Sequence, residues 1–144
     1  MKSKHKEAYS RRERFQVEIL ETFNLLSERA QSFFQAYELT PQQYNVLAIL
    51  YHGGPMSHSD ILDWMIEKNA GVSRLVDRLV KKELLSKMSH ATDKRLVKVV
   101  LTEKGKSAFT YVDKEYKGLD DPMSNLSDDE VEQLIALLVK LKGY

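Results

Sequence analysis

Two short β-prone runs, Leu85 to His90 and Arg95 to Leu101, stand in a chain whose other apolar residues recur at helical spacing. They are joined by His90-Ala91-Thr92-Asp93-Lys94. Thr92 and Asp93 are residue types that hydrogen-bond their own backbone and close a turn, so the pair reads as a β-hairpin. One hairpin among helices narrows the fold class to a mainly α chain with a small β element, and the order of the helices around it decides which one.

Phe15, Ile19, Phe23, Leu26, Ala30, Phe33 and Tyr37 recur at spacings of three and four and predict a long amphipathic helix from Phe15 to Tyr37. Leu39-Thr40-Pro41-Gln42-Gln43-Tyr44 is a complete helix start. Thr40 serves as N-cap, Pro41 takes the first helical position, Gln43 reaches back, and Leu39 staples onto Tyr44. This second helix turns Leu47 and Leu50 inward and stops at His52-Gly53-Gly54-Pro55. A short third helix opens near Ser57, with Ile61, Leu62 and Met65 inward and Trp64 on its edge. A fourth follows a break at Ile66 to Lys68, with Asn69 expected as its cap. Its inward stripe is Val72, Leu75, Val76 and Leu79, which leaves Ser73, Arg74, Asp77, Arg78 and Lys81 on the opposite face. After the hairpin, Thr102 caps a fifth helix carrying Ala108, Phe109, Val112 and Tyr116 on one side and ending near Gly118. Leu126-Ser127-Asp128-Asp129-Glu130-Val131 is a capping box with a staple, and it opens a last helix with Val131, Leu134, Leu138 and Leu141 along one seam.

Charge matters here by position. Across all 144 residues, 22 Lys and Arg face 21 Asp and Glu, a net +1. Between Lys68 and Lys98, nine basic residues face three acids, and the N-terminus to Arg14 is basic too. Gathering positive charge in one segment marks where a polyanion would dock. With 42% hydrophobic residues the chain can bury one sizeable core, so a single domain is expected over 1–144. There is no cysteine, which excludes disulfides and thiol chemistry. No apolar segment follows the basic N-terminus and no run is long enough to span a bilayer, so a soluble, cytoplasmic chain without membrane contact is expected.

Four helices, a hairpin and two more helices, with the basic block confined to the fourth helix and the hairpin, is the layout of a winged helix-turn-helix. In such a unit the recognition helix enters the major groove of double-stranded DNA and earlier helices brace it. Ser73, Arg74, Arg78 and Lys81 offer donors for base edges and phosphates. Lys94 and Arg95, at the hairpin tip, suit an adjacent minor groove, whose narrow walls concentrate negative potential. Asp93 is expected to shape that tip, by capping the turn or by pairing with Arg95. Asp77 is expected to accept from a cytosine or, in preference, to hold a neighbouring arginine. The competing reading is a winged-helix protein-interaction module without sequence-specific DNA contact, which would have Arg74, Arg78 and Arg95 tied up by acids.

At these residues the chain resembles the MarR family of bacterial transcription regulators. Asp93-Lys94-Arg95, Val97 and Val99, then Leu101-Thr102-Glu103-Lys104-Gly105, is similar to that family's wing. Ser73 to Leu79 resembles its recognition-helix core, and Leu39 to Tyr44 its entry to the second helix. The resemblance implies a winged helix-turn-helix DNA-binding part over 39–105, flanked by N- and C-terminal dimerisation helices in 1–38 and 106–144. It implies a homodimer reading a pseudo-palindromic site, a repressor role, and in many relatives release by a small aromatic or other small-molecule effector. The apolar stripes of the first and last helices, larger than so small a DNA-binding unit needs, agree with a partner surface. Three positions depart from the family pattern. Glu83 stands where glycine commonly closes the recognition helix. Lys87 stands where arginine often precedes the wing. The turn Glu67-Lys68-Asn69-Ala70-Gly71 is also unusual.

No cofactor, metal site or catalytic residue is expected. His5, His52, His58 and His90 are dispersed. There is no Gly-rich phosphate loop, nucleophile elbow or HExxH, and the acids Asp128-Asp129-Glu130 are explained as a helix start. Phe23, Tyr44, Tyr51 and His52 could line an effector pocket, but aromatic residues at helical spacing read first as core.

Overall fold

The computed structural model describes residues 9–68, 71–93, 95–119 and 122–143. Its elements are α1 (Arg11–Gln35), α2 (Pro41–Gly53), α3 (His58–Trp64), α4 (Val72–Lys81), β1 (Leu85–Ser89), β2 (Val97–Leu101), α5 (Glu103–Lys117), a 3-10 turn (Pro122–Asn125) and α6 (Asp128–Leu141). The chain divides into two units, Met1–Val112 and Asp113–Tyr144. No helix among the described residues is long and apolar enough to cross a membrane.

Helix starts follow local side-chain chemistry. Thr40 Oγ1 accepts from the Gln43 amide at 3.1 Å while Gln43 Oε1 accepts from the Thr40 amide at 3.1 Å, a reciprocal box behind Pro41. The same box closes α3 through Ser57 and Asp60, and α6 through Ser127 and Glu130. A fourth, Ser10 with Glu13, starts α1 four residues before the predicted Phe15. The carboxyls of Glu13 and Asp60 are held below the usual range chiefly by their serine hydroxyls, and that of Glu130 chiefly by the Ser127 amide. Gly71 occupies the cap position of α4 with no side-chain bond; Asn69, the expected cap, lies outside the described residues. Lys68 Nζ instead bonds the Leu62 and Asp63 carbonyls at the end of α3.

The first unit's core is built from α2, α3, α4 and the hairpin. Val46, Leu47, Ile61, Val76, Leu79 and Val99 are fully buried, and Met65 and Leu85 nearly so. Leu62 is only partly buried, and Trp64 is exposed. Phe109 of α5 is surrounded by the rings of Tyr44, Tyr51 and His52, at centroid distances of 5.6, 4.7 and 6.1 Å. Of the four aromatic residues that could line a pocket, Tyr44 packs against the core, Tyr51 and His52 touch Phe109 from an exposed position, and Phe23 is 65% exposed.

β1 and β2 pair antiparallel with Leu85 opposite Leu101 and Ser89 opposite Val97. Arg95 therefore belongs to the turn and not to the strand. A bridge that sequence periodicity did not show adds Met56 to the far side of β2. Its amide donates to the Val99 carbonyl at 3.1 Å and its carbonyl accepts from the Val99 amide at 2.7 Å. One residue carries no periodicity, so this tie between the α2–α3 connection and the wing was illegible.

Two helix ends share one geometry. After α4, Leu84 N–H donates to Leu79 O and Glu83 N–H to Val80 O, at 3.0 and 2.9 Å, with Glu83 at φ +61°. After α1, Leu39 N–H donates to Phe34 O and Glu38 N–H to Gln35 O, both at 3.0 Å, with Glu38 at φ +56°. These are Schellman closures, each locked by a buried apolar pair, Leu79 with Leu84 and Phe34 with Leu39. Glu83 thus adopts the left-handed conformation that glycine adopts without penalty, because its carbonyl receives Thr102 Oγ1 at 2.6 Å and its carboxylate Lys104 Nζ at 3.2 Å. The first turn of α5 presses on this corner so closely that a Cβ at Gly105 would overlap the Leu84 carbonyl oxygen.

Two substitutions are expected to move stability in opposite directions. Glu83→Gly, which relieves the left-handed penalty, raises it by about 0.5–1 kcal/mol. Gly105→Ala, which meets backbone, lowers it by about 2 kcal/mol. Denaturant titration of the two variants and the parent measures both.

Candidate nucleic-acid interface

The face of α4 follows from its spacing. Val72, Val76 and Leu79 are buried and Leu75 half-buried, so Ser73, Arg74, Asp77, Arg78 and Lys81 are all exposed together. None of Arg74, Arg78 and Lys81 has an ion-pair partner among the described residues. Arg74 and Arg78 are free of any acid among the described residues, and Lys81 acts on Asp77 only through space.

Asp77 corrects an expectation. It holds no arginine; its Oδ1 accepts from Lys87 Nζ of β1 at 2.7 Å. That hydrogen bond, reinforced by the lysine's charge, keeps the Asp77 carboxyl below the usual aspartate range. Residues ten apart, on a helix and a strand, share no local pattern, and only the packing of β1 beside α4 brings them together.

The hairpin tip takes its shape from Asp93. Its Oδ1 accepts from the Arg95 amide at 2.9 Å and its carbonyl from the Leu96 amide at 3.1 Å, while His90 N–H closes onto Leu96 O at 3.1 Å. Of the two roles expected for Asp93, the structure has the turn cap: the bond goes to the Arg95 backbone, and the guanidinium stays exposed and unpaired among the described residues. Lys94, its predicted companion, lies outside the described residues. Thr92 contributes through His90, whose Nδ1 lies 2.8 Å from Thr92 Oγ1.

Between the start of α3 and the hairpin lies a cleft of about 500 Å³, lined by Ser57, Asp60, His90, Arg95, Leu96 and Lys98. Lys98, which the sequence marks only as the end of the basic block, is exposed on β2 and its charge acts on Asp60 across this cleft. Among the described residues no group of three or more His, Cys, Asp or Glu is placed to hold a metal.

Comparison with known proteins agrees with this geometry. The MarR family model matches residues 39–97, which run from the start of α2 to the first residue of β2. The HTH-type transcriptional regulator YkoM of Bacillus subtilis is 31% identical over 122 residues, covering 82% of this chain and 77% of the relative. The chain belongs to the MarR family of transcriptional regulators. A second relative, the HTH-type transcriptional regulator MhqR of Bacillus subtilis, is 27% identical over 120 residues, 83% of each chain. A mutant MarR from E. coli, solved in complex with operator DNA, shares the fold at a TM-score of 0.73 and 24% identity, over 86% of this chain and 91% of that one. The MarR-family match takes in every residue of the candidate interface except Lys98.

Removing the turn cap is expected to loosen the tip alone. In Asp93→Ala the Arg95 amide should exchange its hydrogen about fivefold faster, with the core amides of α2 and α4 unchanged, as read by hydrogen-exchange mass spectrometry.

Proposed function

We propose that this chain is a sequence-specific regulator of transcription that binds double-stranded DNA as a homodimer. Its recognition helix α4 enters the major groove, with Ser73, Arg74, Arg78 and Lys81 as contacts, and the wing residues Lys94 and Arg95 enter the neighbouring minor groove. The observation that carries the reading is the state of the cations. Arg74, Arg78 and Arg95 are exposed and unpaired among the described residues, whereas a protein-interaction module would have them tied up by acids. The operator complex of the E. coli MarR protein supports the same reading by likeness of fold.

The homodimer rests on unused apolar surface. In α1, Leu20 and Phe23 are 61% and 65% exposed, and only the C-terminal end of the helix packs on the core. In α6 no residue is buried, and Leu134, Ile135, Leu137, Leu138 and Leu141 are all exposed. Apolar surface on this scale calls for a partner, and a second copy on a pseudo-palindromic site is the simplest one. Blocking transcription from such a site makes the protein a repressor acting in the cytoplasm. Relief by a small-molecule effector, aromatic or other, is supported by a cavity of about 420 Å³ whose lining includes Tyr37, Glu38, Leu39, Leu84 and Tyr111.

Duplexes selected from random DNA should bind with an affinity that falls with salt, by about 0.9 in the log–log slope for each phosphate neutralised. A flat response, or no selected duplex, removes the reading. Arg95→Ala is expected to shorten the footprint at the flanks of the site while leaving the dimer intact. A chain ending before Ser127 is expected to be monomeric by light scattering.

A further inference from the structure

We infer that Lys87 is a positioning residue for DNA recognition, which engages Asp77 so that the cations of the recognition helix stay free for the nucleic acid. The inference rests on the DNA-binding reading above and assigns a duty that it does not contain. Asp77 is the one acid in α4 and lies on the same exposed face as Ser73, Arg74, Arg78 and Lys81. By helical spacing it has two local partners, Arg74 three residues before it and Lys81 four residues after it. An acid placed N-terminal to a lysine at that second spacing is the more favourable orientation of such a pair. Either pairing would remove a cation from the DNA face. Neither ion pair forms, although the charge of Lys81 is felt at the carboxylate through space; the hydrogen bond goes to Lys87 at 2.7 Å.

The origin of Lys87 makes it a firm partner. It stands at the middle of β1, directly opposite Val99, which is fully buried and bonded on its other side to Met56. A lysine rooted there reaches Asp77 from a fixed strand, at less entropic cost than one on a mobile loop. Its side chain is 41% exposed and that of Asp77 57%, so the bond is worth little to stability and its effect falls on the charge pattern of the surface. The pair also ties the wing to the recognition helix, so that tip and groove helix present themselves in one spacing.

A double-mutant cycle on a selected duplex tests this, using Lys87→Met, which keeps the aliphatic stem, and Asp77→Asn. Both sites are exposed, and thermal melts check that all four proteins fold alike. Lys87→Met is expected to weaken binding about three- to fivefold, the scale of a lost exposed ion pair. In the Asp77→Asn background the same change should alter affinity less than about twofold and leave the salt slope unchanged, since no acid remains to recapture Arg74 or Lys81. Equal losses in both backgrounds, with the slope falling by about 1, would make Lys87 a phosphate contact and overturn the inference. No loss in either background would overturn it as well. A parent protein that binds no selected duplex would instead sink the DNA-binding reading itself.

Discussion

The rest of the first unit depends on a corner of backbone where Thr102 N–H donates to Leu84 O at 3.1 Å and Thr102 Oγ1 donates to Glu83 O at 2.6 Å. Here α4 ends, β1 begins, β2 has just ended and α5 starts. Thr102 also accepts the Gly105 amide at 2.9 Å, so one hydroxyl both starts a helix and satisfies the carbonyl of the strained residue beside it. The absence of a side chain at Gly105 is what lets α5 approach this closely. The recognition helix is therefore braced at its C-terminus by the same contact that seats the wing and directs α5. Lys82 extends the brace, its ammonium reaching the Glu38 carbonyl at the turn after α1, while Lys104 bonds the Lys82 carbonyl at 3.1 Å.

Around that frame the charges divide by duty. Lys68, Lys82 and Lys104 serve backbone carbonyls at helix ends, where the helix dipole favours a cation. Lys87 serves Asp77. Arg74, Arg78 and Arg95 have no partner within the described residues, while Lys81 and Lys98 act only through space, on the carboxylates of Asp77 and Asp60. A count of basic residues between Lys68 and Lys98 cannot make this division, because it depends on which atoms lie within bonding distance after folding. The cations left over line the face of α4 and the hairpin, which is where a winged helix meets a duplex.

The parts legible in advance were those written in short-range chemistry. The Thr40, Ser57, Thr102 and Ser127 starts need partners only three residues away, and the inward stripe of α4 needs only helical period. Asp93 as a turn former is equally local. The start of α1 escaped notice because Ser10 and Glu13 lie in a basic, polar stretch, ahead of the apolar periodicity that marked the helix. Of the apolar stripe expected from Phe15 to Tyr37, only the C-terminal part from Ala30 packs on the core; Phe15 to Leu26 is exposed within this chain, and a partner surface for it belongs to the proposed dimer. Strand ends were overrun at both sides of the tip, since β-propensity does not distinguish a paired residue from one held in the turn by Asp93.

By itself the sequence determined the order of elements, the face α4 exposes, the residues that start α2, α3, α5 and α6, and the family to which the chain belongs. These follow from spacing and side-chain type, which act over a turn of helix or two residues of strand. Tertiary structure alone decided which cations remain free, why Asp77 does not silence them, and how Glu83 holds a left-handed backbone. Each of those depends on atoms ten to twenty residues apart in the chain that only the packing of α4, the wing and α5 brings into contact.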